Sequence, residues 1–233
     1  MTQAMLVAEG LRKTFTLHLQ DGVTIPVLHD TALTARAGEC VALVGPSGAG
    51  KSTLMRALDG NYRVDAGRIL VRHEGAVVDL VQAPPRQVLE IRRLTLGYVS
   101  QFLRVVPRVP ALEVVAEAAM ARGMTQDAAR SRAAALLQRL NIPPRLQALP
   151  PATFSGGEQQ RVNLARGFVA GHPILLLDEP TASLDPGNAA IVVSLIREAK
   201  ARGAALVGIF HDAAVRDAVA EATLTVSPIQ DAA

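Results

Sequence analysis

One short run of residues constrains this chain more than any other feature. It reads Gly45-Pro46-Ser47-Gly48-Ala49-Gly50-Lys51-Ser52, with Thr53 next, and it lies between the apolar run Val41–Val44 and a helical pattern. A loop between a strand and a helix can turn its backbone N–H groups inward around an anion, and glycines permit the backbone angles required. The spacing predicts a nucleotide-binding loop. Lys51 then reaches the β- and γ-phosphates, and the Ser52 hydroxyl binds Mg²⁺.

Size and composition favour one compact domain. The chain has 233 residues, 49% of them hydrophobic, and several apolar runs are continuous, as in strands that helices cover on both faces. A net charge of +3 is too small to favour a nucleic acid as partner. The single cysteine, Cys40, lies in an apolar run and is predicted to be buried. One cysteine excludes an internal disulfide and suits a reducing cytoplasm.

Neither a leader nor a membrane span is evident in the sequence. The first ten residues lack a basic-then-apolar pattern. No apolar run approaches the roughly 18 to 20 residues that a membrane helix needs. We therefore expect a cytoplasmic protein without direct membrane insertion, for which any membrane role depends on a partner.

The hydrophobic pattern predicts an α/β core with an antiparallel β part and inserted helices. Residues 1–37 have the pattern of strands and turns. Hairpins are expected over Leu17–Val27, turning at Asp21-Gly22, and over Ile69–Val81, turning near Glu74-Gly75.

The middle of the chain is alanine-rich and predicted to be helical. Ala111–Met120 and Thr125–Leu140 have helical periodicity. We predict a helical subdomain over about 102–165, inserted into a core formed by 1–101 and 166–233. Later core strands are expected at Ile174–Leu177 and Ala204–Phe210.

Two acidic residues follow the predicted strand Ile174–Leu177. In open α/β sheets, ligand chemistry lies at the carboxyl ends of the strands. Asp178 there is predicted to hold Mg²⁺, and Glu179 to polarise the water that attacks the γ-phosphate. An acidic helix cap would explain the pair equally well without the upstream loop at Gly45–Ser52.

A third motif, Ser155-Gly156-Gly157-Glu158-Gln159-Gln160-Arg161, lies 23 residues before Asp178 (178 − 155). A serine cap followed by two glycines at a helix N-terminus is a second anion site. Since one nucleotide needs only one such loop, the motif suggests a composite site. The run resembles the signature motif of ATP-binding-cassette (ABC) ATPases. That resemblance implies that Ser155 to Glu158 contact the γ-phosphate held by a second ABC subunit.

The ABC resemblance assigns four further residues. Gln101 resembles the Q-loop glutamine that contacts Mg²⁺ and senses the γ-phosphate. Asp185, in Ser183-Leu184-Asp185, resembles the D-loop at the dimer seam, and it is also predicted to cap the next helix. His211 resembles the switch histidine. Phe15 resembles the aromatic residue that stacks on adenine, although it could equally belong to the core. The histidines without motif context are interpreted as surface or loop residues: His18, His29, His73 and His172.

Within the ABC ATPases the chain has one cassette and no room for a long coiled coil, which excludes the chromosome-maintenance and two-cassette translation-factor branches. It resembles the PhnL family of the bacterial carbon–phosphorus lyase pathway. The matching stretches are Ala37–Val41, Asn61-Tyr62, Val99–Val105, Arg197–Lys200, Gly208–Asp212 and Phe154. The main competitors are ATPases of lipoprotein-release and macrolide-export transporters.

The PhnL resemblance implies a cytoplasmic ATP hydrolase with ATP and Mg²⁺ as cofactors. It would support formation of α-D-ribose 1-methylphosphonate 5-triphosphate from ATP and an alkylphosphonate. Its partners would be the lyase core complex and a second ABC subunit, identical or a sister PhnK-like ATPase. The alternatives are the ATPase subunit of a membrane transporter and a non-catalytic module that clamps ATP. The intact Glu179 and His211 argue against the last of these.

Overall fold

The structure is a computed structural model that describes residues 2–17, 22–101, 103 and 107–229. In chain order, the strands are Ala4–Leu17 (β1), Val23–Arg36 (β2), Cys40–Val44 (β3), Ala66–His73 (β4), Ala76–Asp79 (β5), Leu96–Val99 (β6), Ile174–Asp178 (β7), Ala205–Ile209 (β8) and Ala222–Thr225 (β9). The helices are Lys51–Leu58 (α1), Pro85–Leu94 (α2), Ala111–Met120 (α3), Gln126–Arg139 (α4), Pro144–Gln147 (α5), Gly156–Val169 (α6), Pro186–Ala201 (α7) and Ala213–Val219 (α8), with a 3-10 turn at Pro151–Thr153.

A parallel sheet with the order β6-β7-β8-β3-β9 forms the core. Every residue of β7 and β8 is buried, as their continuous apolar runs predict. Cys40 on β3 is fully buried as predicted, and burial raises the pKa of its thiol to about 12. The carboxyl ends of parallel strands share one edge of a sheet. The strand order therefore sets Gln101, Asp178 and His211 beside the loop that follows β3.

An antiparallel sheet with the order β2-β1-β4-β5 forms the second layer. In the first hairpin Leu17 pairs with Val23; of its predicted turn, Asp21 lies outside the described residues. The second hairpin turns where predicted. His73 pairs with Ala76, and Glu74 and Gly75 both have positive φ, as a tight two-residue turn requires.

The helices α3 to α6 form the inserted α-helical part. Val115 on α3 and Ala133 and Leu137 on α4 are fully buried in one cluster that also contains Leu177 of the core sheet. Helix α6 runs through position 165, where the sequence placed the end of the insertion. The observed arrangement confirms the predicted fold class, an α/β core with an antiparallel β part and inserted helices. Within the described ranges, no helix combines the length and apolar character needed to span a bilayer.

One residue prediction is wrong. His73 was expected at the surface or in a loop, but it is buried on β4, with its Nδ1 2.6 Å from the Thr95 hydroxyl. His29 is exposed on β2, and His172 is partly buried between α6 and β7. His18 lies outside the described residues.

Candidate functional site

The loop between β3 and α1 is shaped by glycines that no other residue could replace without strain. Gly45 has φ 143°, and a Cβ there would lie 2.1 Å from the carbonyl oxygen of Val226. Gly50 has φ 96°, and a Cβ there would lie 2.9 Å from the carbonyl oxygen of Val27. Both neighbours are backbone atoms, which cannot swing away as a side chain can. The loop is thus wedged between β2 and the C-terminal segment.

Lys51, the first residue of α1, arches back over this loop. Its Nζ donates hydrogen bonds to the carbonyl oxygens of Gly45 (2.7 Å) and Pro46 (2.8 Å). The next residue, Ser52, is exposed on the same first turn. A cation and a hydroxyl at a helix N-terminus, above a glycine loop, suit a phosphate with a bound divalent cation. The remaining predicted loop residues lie where expected: Ser47 and Gly48 are exposed, Ala49 is buried and Thr53 is partly buried.

Asp178 ends β7 with a buried carboxylate. It is 5% exposed, and its Oδ2 accepts a 2.9 Å hydrogen bond from the Tyr98 hydroxyl. Burial raises the pKa of Asp178 above its usual range, while the hydrogen bond from Tyr98 lowers it. Burial, followed by the nearby Asp178 charge, raises the pKa of the Tyr98 phenol. Sequence analysis did not single out Tyr98. Its position three residues before Gln101 was the one signal that it lies near this edge of the sheet, where β6 ends.

Glu179 adopts a backbone conformation that is uncommon for a residue with a side chain. Its φ is +54°, and its N–H donates to the carbonyl of Ile209 on β8 at 3.1 Å. A left-handed glutamate costs free energy that the surrounding structure must supply, and such residues cluster at functional sites.

Three predicted catalytic residues meet at the Glu179 carboxylate. Gln101 Nε2 donates to Oε2 at 2.9 Å, and His211 Nε2 lies 2.7 Å from Oε1. The His211 side chain is 65% exposed and that of Glu179 is 17% exposed. Gln101, after β6, and His211, after β8, therefore hold the Glu179 carboxylate from both sides, at the edge of the sheet where the loop to Lys51 begins.

Helix α6 begins at the predicted cap. The Ser155 hydroxyl accepts from the backbone N–H of Glu158 (3.4 Å), and the Glu158 carboxylate accepts from the Ser155 backbone N–H (2.9 Å), which completes a capping box. The Ser155 hydroxyl also donates to the Glu158 carboxylate at 2.7 Å, and this bond, followed by the one from the backbone N–H, lowers the pKa of Glu158. Gly156 is exposed, and a Cβ on Gly157 would lie 3.1 Å from the Ser183 carbonyl oxygen. The signature motif thus starts beside the predicted D-loop.

Asp185 caps α7 as predicted. Its carboxylate accepts from the backbone N–H of Asn188 at 2.9 Å, and this bond lowers the pKa of Asp185. Helix capping accounts for this side chain by itself, so a nucleotide contact for Asp185 stays a prediction.

Phe15 lies partly exposed near the end of β1, not in the core. Its ring meets that of Tyr62 edge-on, with centroids 5.5 Å apart, and Lys13 Nζ lies 5.2 Å from its centroid. Stacking of Phe15 on adenine stays a prediction.

Comparison with known proteins fits this geometry. The sequence matches the model of the family described as ABC transporter over residues 28–182. The chain belongs to the ABC transporter family. This ABC protein therefore binds ATP and is an ATP hydrolase. Its structure superposes on the dimeric cassette MJ0796 bound to ADP and Pi with a TM-score of 0.86 and 26% identity, covering 96% of this chain and 95% of that one.

The relatives of this ABC ATPase include transporter subunits. It is 40% identical over 85% of its length to the lipoprotein-releasing system ATP-binding protein LolD of Ruegeria sp. (strain TM1040), covering 84% of that protein. It is 38% identical to LolD of Maricaulis maris, covering 91% of this chain and 90% of that one. It is 35% identical to the macrolide export ATP-binding/permease protein MacB of Sodalis glossinidius, covering 92% of this chain but 32% of MacB.

These relatives contradict the more specific sequence prediction. The assignment to the PhnL family is wrong. So are the predicted role in ribose 1-methylphosphonate 5-triphosphate formation and the predicted partnership with the carbon–phosphorus lyase core or a PhnK-like sister. The relatives support the transporter alternative instead. Three of the stretches that suggested PhnL overlap the start of β3, the end of β8 and the segment around Gln101, which belong to the candidate ATP site. Those three stretches therefore carry little information on the pathway.

Proposed function

We propose that this chain is the ATPase subunit of a membrane ABC transporter, related to the lipoprotein-releasing systems, and that it acts on the cytoplasmic side with a separate permease. The observation that carries the proposal is the 36–40% identity to several LolD proteins over most of their length. MacB supports the same transporter class through a part of its chain only.

The residues of the site fit ATP with Mg²⁺. The backbone around Gly45 and Gly50 has no room for a Cβ, as expected where a loop is drawn tightly to cradle phosphates. The Ser52 hydroxyl and the Asp178 carboxylate are oxygen ligands of the kind that Mg²⁺ prefers, with Gln101 as a third candidate. Lys51 would release its two carbonyl bonds and donate to the β- and γ-phosphates. Bound Mg²⁺ would neutralise charge on the phosphates during transfer.

Glu179 is proposed to act as general base on the attacking water. A base must be held at hydrogen-bond distance from the proton it removes. Gln101 and His211 fix both oxygens of the Glu179 carboxylate, at 2.9 Å and 2.7 Å. When ATP binds, His211 is proposed to turn to the γ-phosphate and release Oε1 for the water. Phe15 is proposed to stack on the adenine ring.

A second cassette is proposed to complete each site. Ser155 and Gly156 are exposed at the start of α6, a helix of 14 residues whose N-terminus favours negative charge. Contact of this helix end with the γ-phosphate of the opposite subunit would make ATP part of the interface, and hydrolysis would remove that contact. The Ser183 carbonyl lies beside Gly157, and Ser183 and Asp185 are proposed to join the same seam.

Capture of the closed state tests the transporter proposal. A tagged Glu179→Gln chain, given ATP, is purified from detergent-solubilised membranes and from the soluble fraction, and its partners are identified by mass spectrometry. We expect an integral membrane permease in the membrane fraction. Lys51→Ala is the matched control, since it keeps the surface but loses the nucleotide that favours closure. Recovery of soluble partners alone, with no membrane protein in either fraction, would refute the proposal.

A further inference from the structure

Two amide side chains are buried on α6, the helix that begins at Ser155. Gln160 is 5% exposed and Asn163 is 4% exposed. Their spacing of three residues places them on one side of the helix. The neighbouring positions Val162 and Leu164 are fully buried and apolar. A buried amide without a hydrogen-bond partner destabilises a protein by about 1–3 kcal/mol. The hydrogen-bond partners of Gln160 and Asn163 therefore indicate what these two buried amides do.

Both partners are backbone carbonyls in the catalytic loops. Asn163 Nδ2 donates to the carbonyl oxygen of Ser100 at 2.5 Å, and Gln160 Nε2 donates to that of Pro180 at 3.3 Å. Ser100 immediately precedes Gln101, and Pro180 immediately follows Glu179. The two loops meet at the 2.9 Å bond between the Gln101 amide and the Glu179 carboxylate. One face of α6 is therefore hydrogen-bonded to the loop that carries Gln101 and to the loop that carries Glu179.

These bonds lie outside the regular ladders of the sheet. Ser100 follows the last residue of β6, and Pro180 lies two residues beyond β7, so neither carbonyl belongs to a strand. Glu179 has its strained φ of +54° between β7 and Pro180. A side-chain tether on each loop restricts where Gln101 and Glu179 can lie relative to α6.

We propose that Gln160 and Asn163 are positioning residues that make the placement of Gln101 and Glu179 depend on the placement of α6. Because α6 starts at the signature serine, a subunit that engages Ser155 would also set the geometry of the hydrolytic pair in the same chain. This inference rests on the ATP site proposed above. It does not depend on the identity of the transported substrate.

Substitution of Asn163 tests the tether. Asn163→Leu keeps the volume and removes the donor, and Asn163→Ala is a smaller second variant in case the first does not fold. Gln147→Met is the matched control: Gln147 is a buried amide that donates to the carbonyl of Ile142 at 2.9 Å, within the helical part and away from both loops. We expect either Asn163 variant to lower kcat roughly 10- to 100-fold with KM for ATP changed less than about twofold, as misplaced catalytic groups do. Gln147→Met should lower thermal stability but leave kcat unchanged.

Two further readouts separate positioning from general destabilisation. Amide hydrogen exchange in a peptide covering 96–101 should accelerate in the Asn163 variants and not in Gln147→Met, whether or not the isolated chain turns over ATP. In a Gln101→Ala background, Asn163→Leu should lower kcat little further, because it acts through Gln101.

The outcomes distinguish the tether from the site itself. If Gln101→Ala and Glu179→Gln leave turnover unchanged, the site assignment fails and the tether proposal falls with it. If those two variants lose activity while Asn163→Leu and Asn163→Ala behave like Gln147→Met in kcat and exchange, the tether alone is wrong.

Discussion

Removal of the Tyr98 hydroxyl should reveal how strongly the buried Asp178 carboxylate depends on it. Tyr98→Phe keeps the ring and deletes one donor, the hydroxyl that lies 2.9 Å from Asp178 Oδ2. A hydrogen bond to a charged group contributes about 1.5–3 kcal/mol, and a buried acceptor left without it keeps its desolvation cost. Asp178 is 5% exposed, so water cannot readily replace the phenol. We expect the free energy of unfolding at pH 7 to fall by about 1.5–3 kcal/mol.

The loss should depend on pH, with a sign set by the carboxylate. Burial raises the pKa of Asp178 in the folded state, and the Tyr98 bond opposes that rise, so Tyr98→Phe should raise the pKa further. A carboxyl group with a raised folded pKa binds its proton more tightly when folded, and so destabilises the fold as pH rises through the window between the unfolded and folded values. At pH values below both, Asp178 is neutral in both states. The stability difference between Tyr98→Phe and wild type should therefore shrink as pH falls through that window.

Urea unfolding followed by circular dichroism at several pH values measures both effects. Tyr62→Phe is the control, since it deletes the same hydroxyl from a partly exposed residue whose partner, Arg56 at 2.6 Å, is exposed. That change should cost less than about 0.5 kcal/mol, as for other surface substitutions. A Tyr98→Phe loss equal to that of the control, or one that does not vary with pH, would refute the assigned role of the buried bond.

Three further predictions follow from the site. Glu179→Gln should retain ATP binding but slow hydrolysis roughly 10²- to 10⁴-fold, measured as phosphate release, because the amide cannot accept the proton; unchanged turnover would exclude Glu179 as the base. Lys51→Ala should lose tight ATP binding in a fluorescent-nucleotide titration; tight binding in that variant would contradict the phosphate loop. Gly45→Ala should lose about 1–3 kcal/mol more stability than Gly75→Ala, because its Cβ meets backbone while Gly75 has open space around it; equal losses would show that the loop is not wedged there.

The elements predicted well from sequence are those whose signal is local. β3, β7 and β8 are continuous apolar runs, and the glycine spacing of the loop over 45–52 is itself a recognisable sequence motif. β9 was missed because Ala222–Thr225 is a short edge strand, partly polar and largely exposed, defined only by its pairing with β3. β6 was not predicted as a strand either: it has four residues and contains Gly97, and an internal glycine weakens the pattern of a strand.

Contacts between distant parts of the chain were beyond sequence reasoning. His73 looked like a residue at a hairpin turn, yet Thr95, at the end of a helix that the sequence analysis did not identify, buries and bonds it. Tyr98 and Asp178 are 80 residues apart, and their bond depends on β6 lying next to β7. Motif spacing identifies which residue types carry the chemistry, whereas strand order decides which polar neighbours hold them.

The motifs identify the chain as an ATPase, but they do not identify the protein with which it works. The strand ends bring Gln101 and His211 to the Glu179 carboxylate, and the hydrolytic role proposed for this cluster does not depend on which partner the ATPase has. Two residues tie this cluster to α6: Gln160, which lies within the Ser155–Arg161 motif, and Asn163, which belongs to no motif identified in the sequence. If the tether proposal is correct, contact of a second subunit with the helix that starts at Ser155 changes the position of Gln101 and Glu179. The effect passes through the Asn163 side chain and the Ser100 carbonyl. Coupling between subunits would then depend on buried polar contacts behind the motifs, where a single amide can be changed without touching nucleotide.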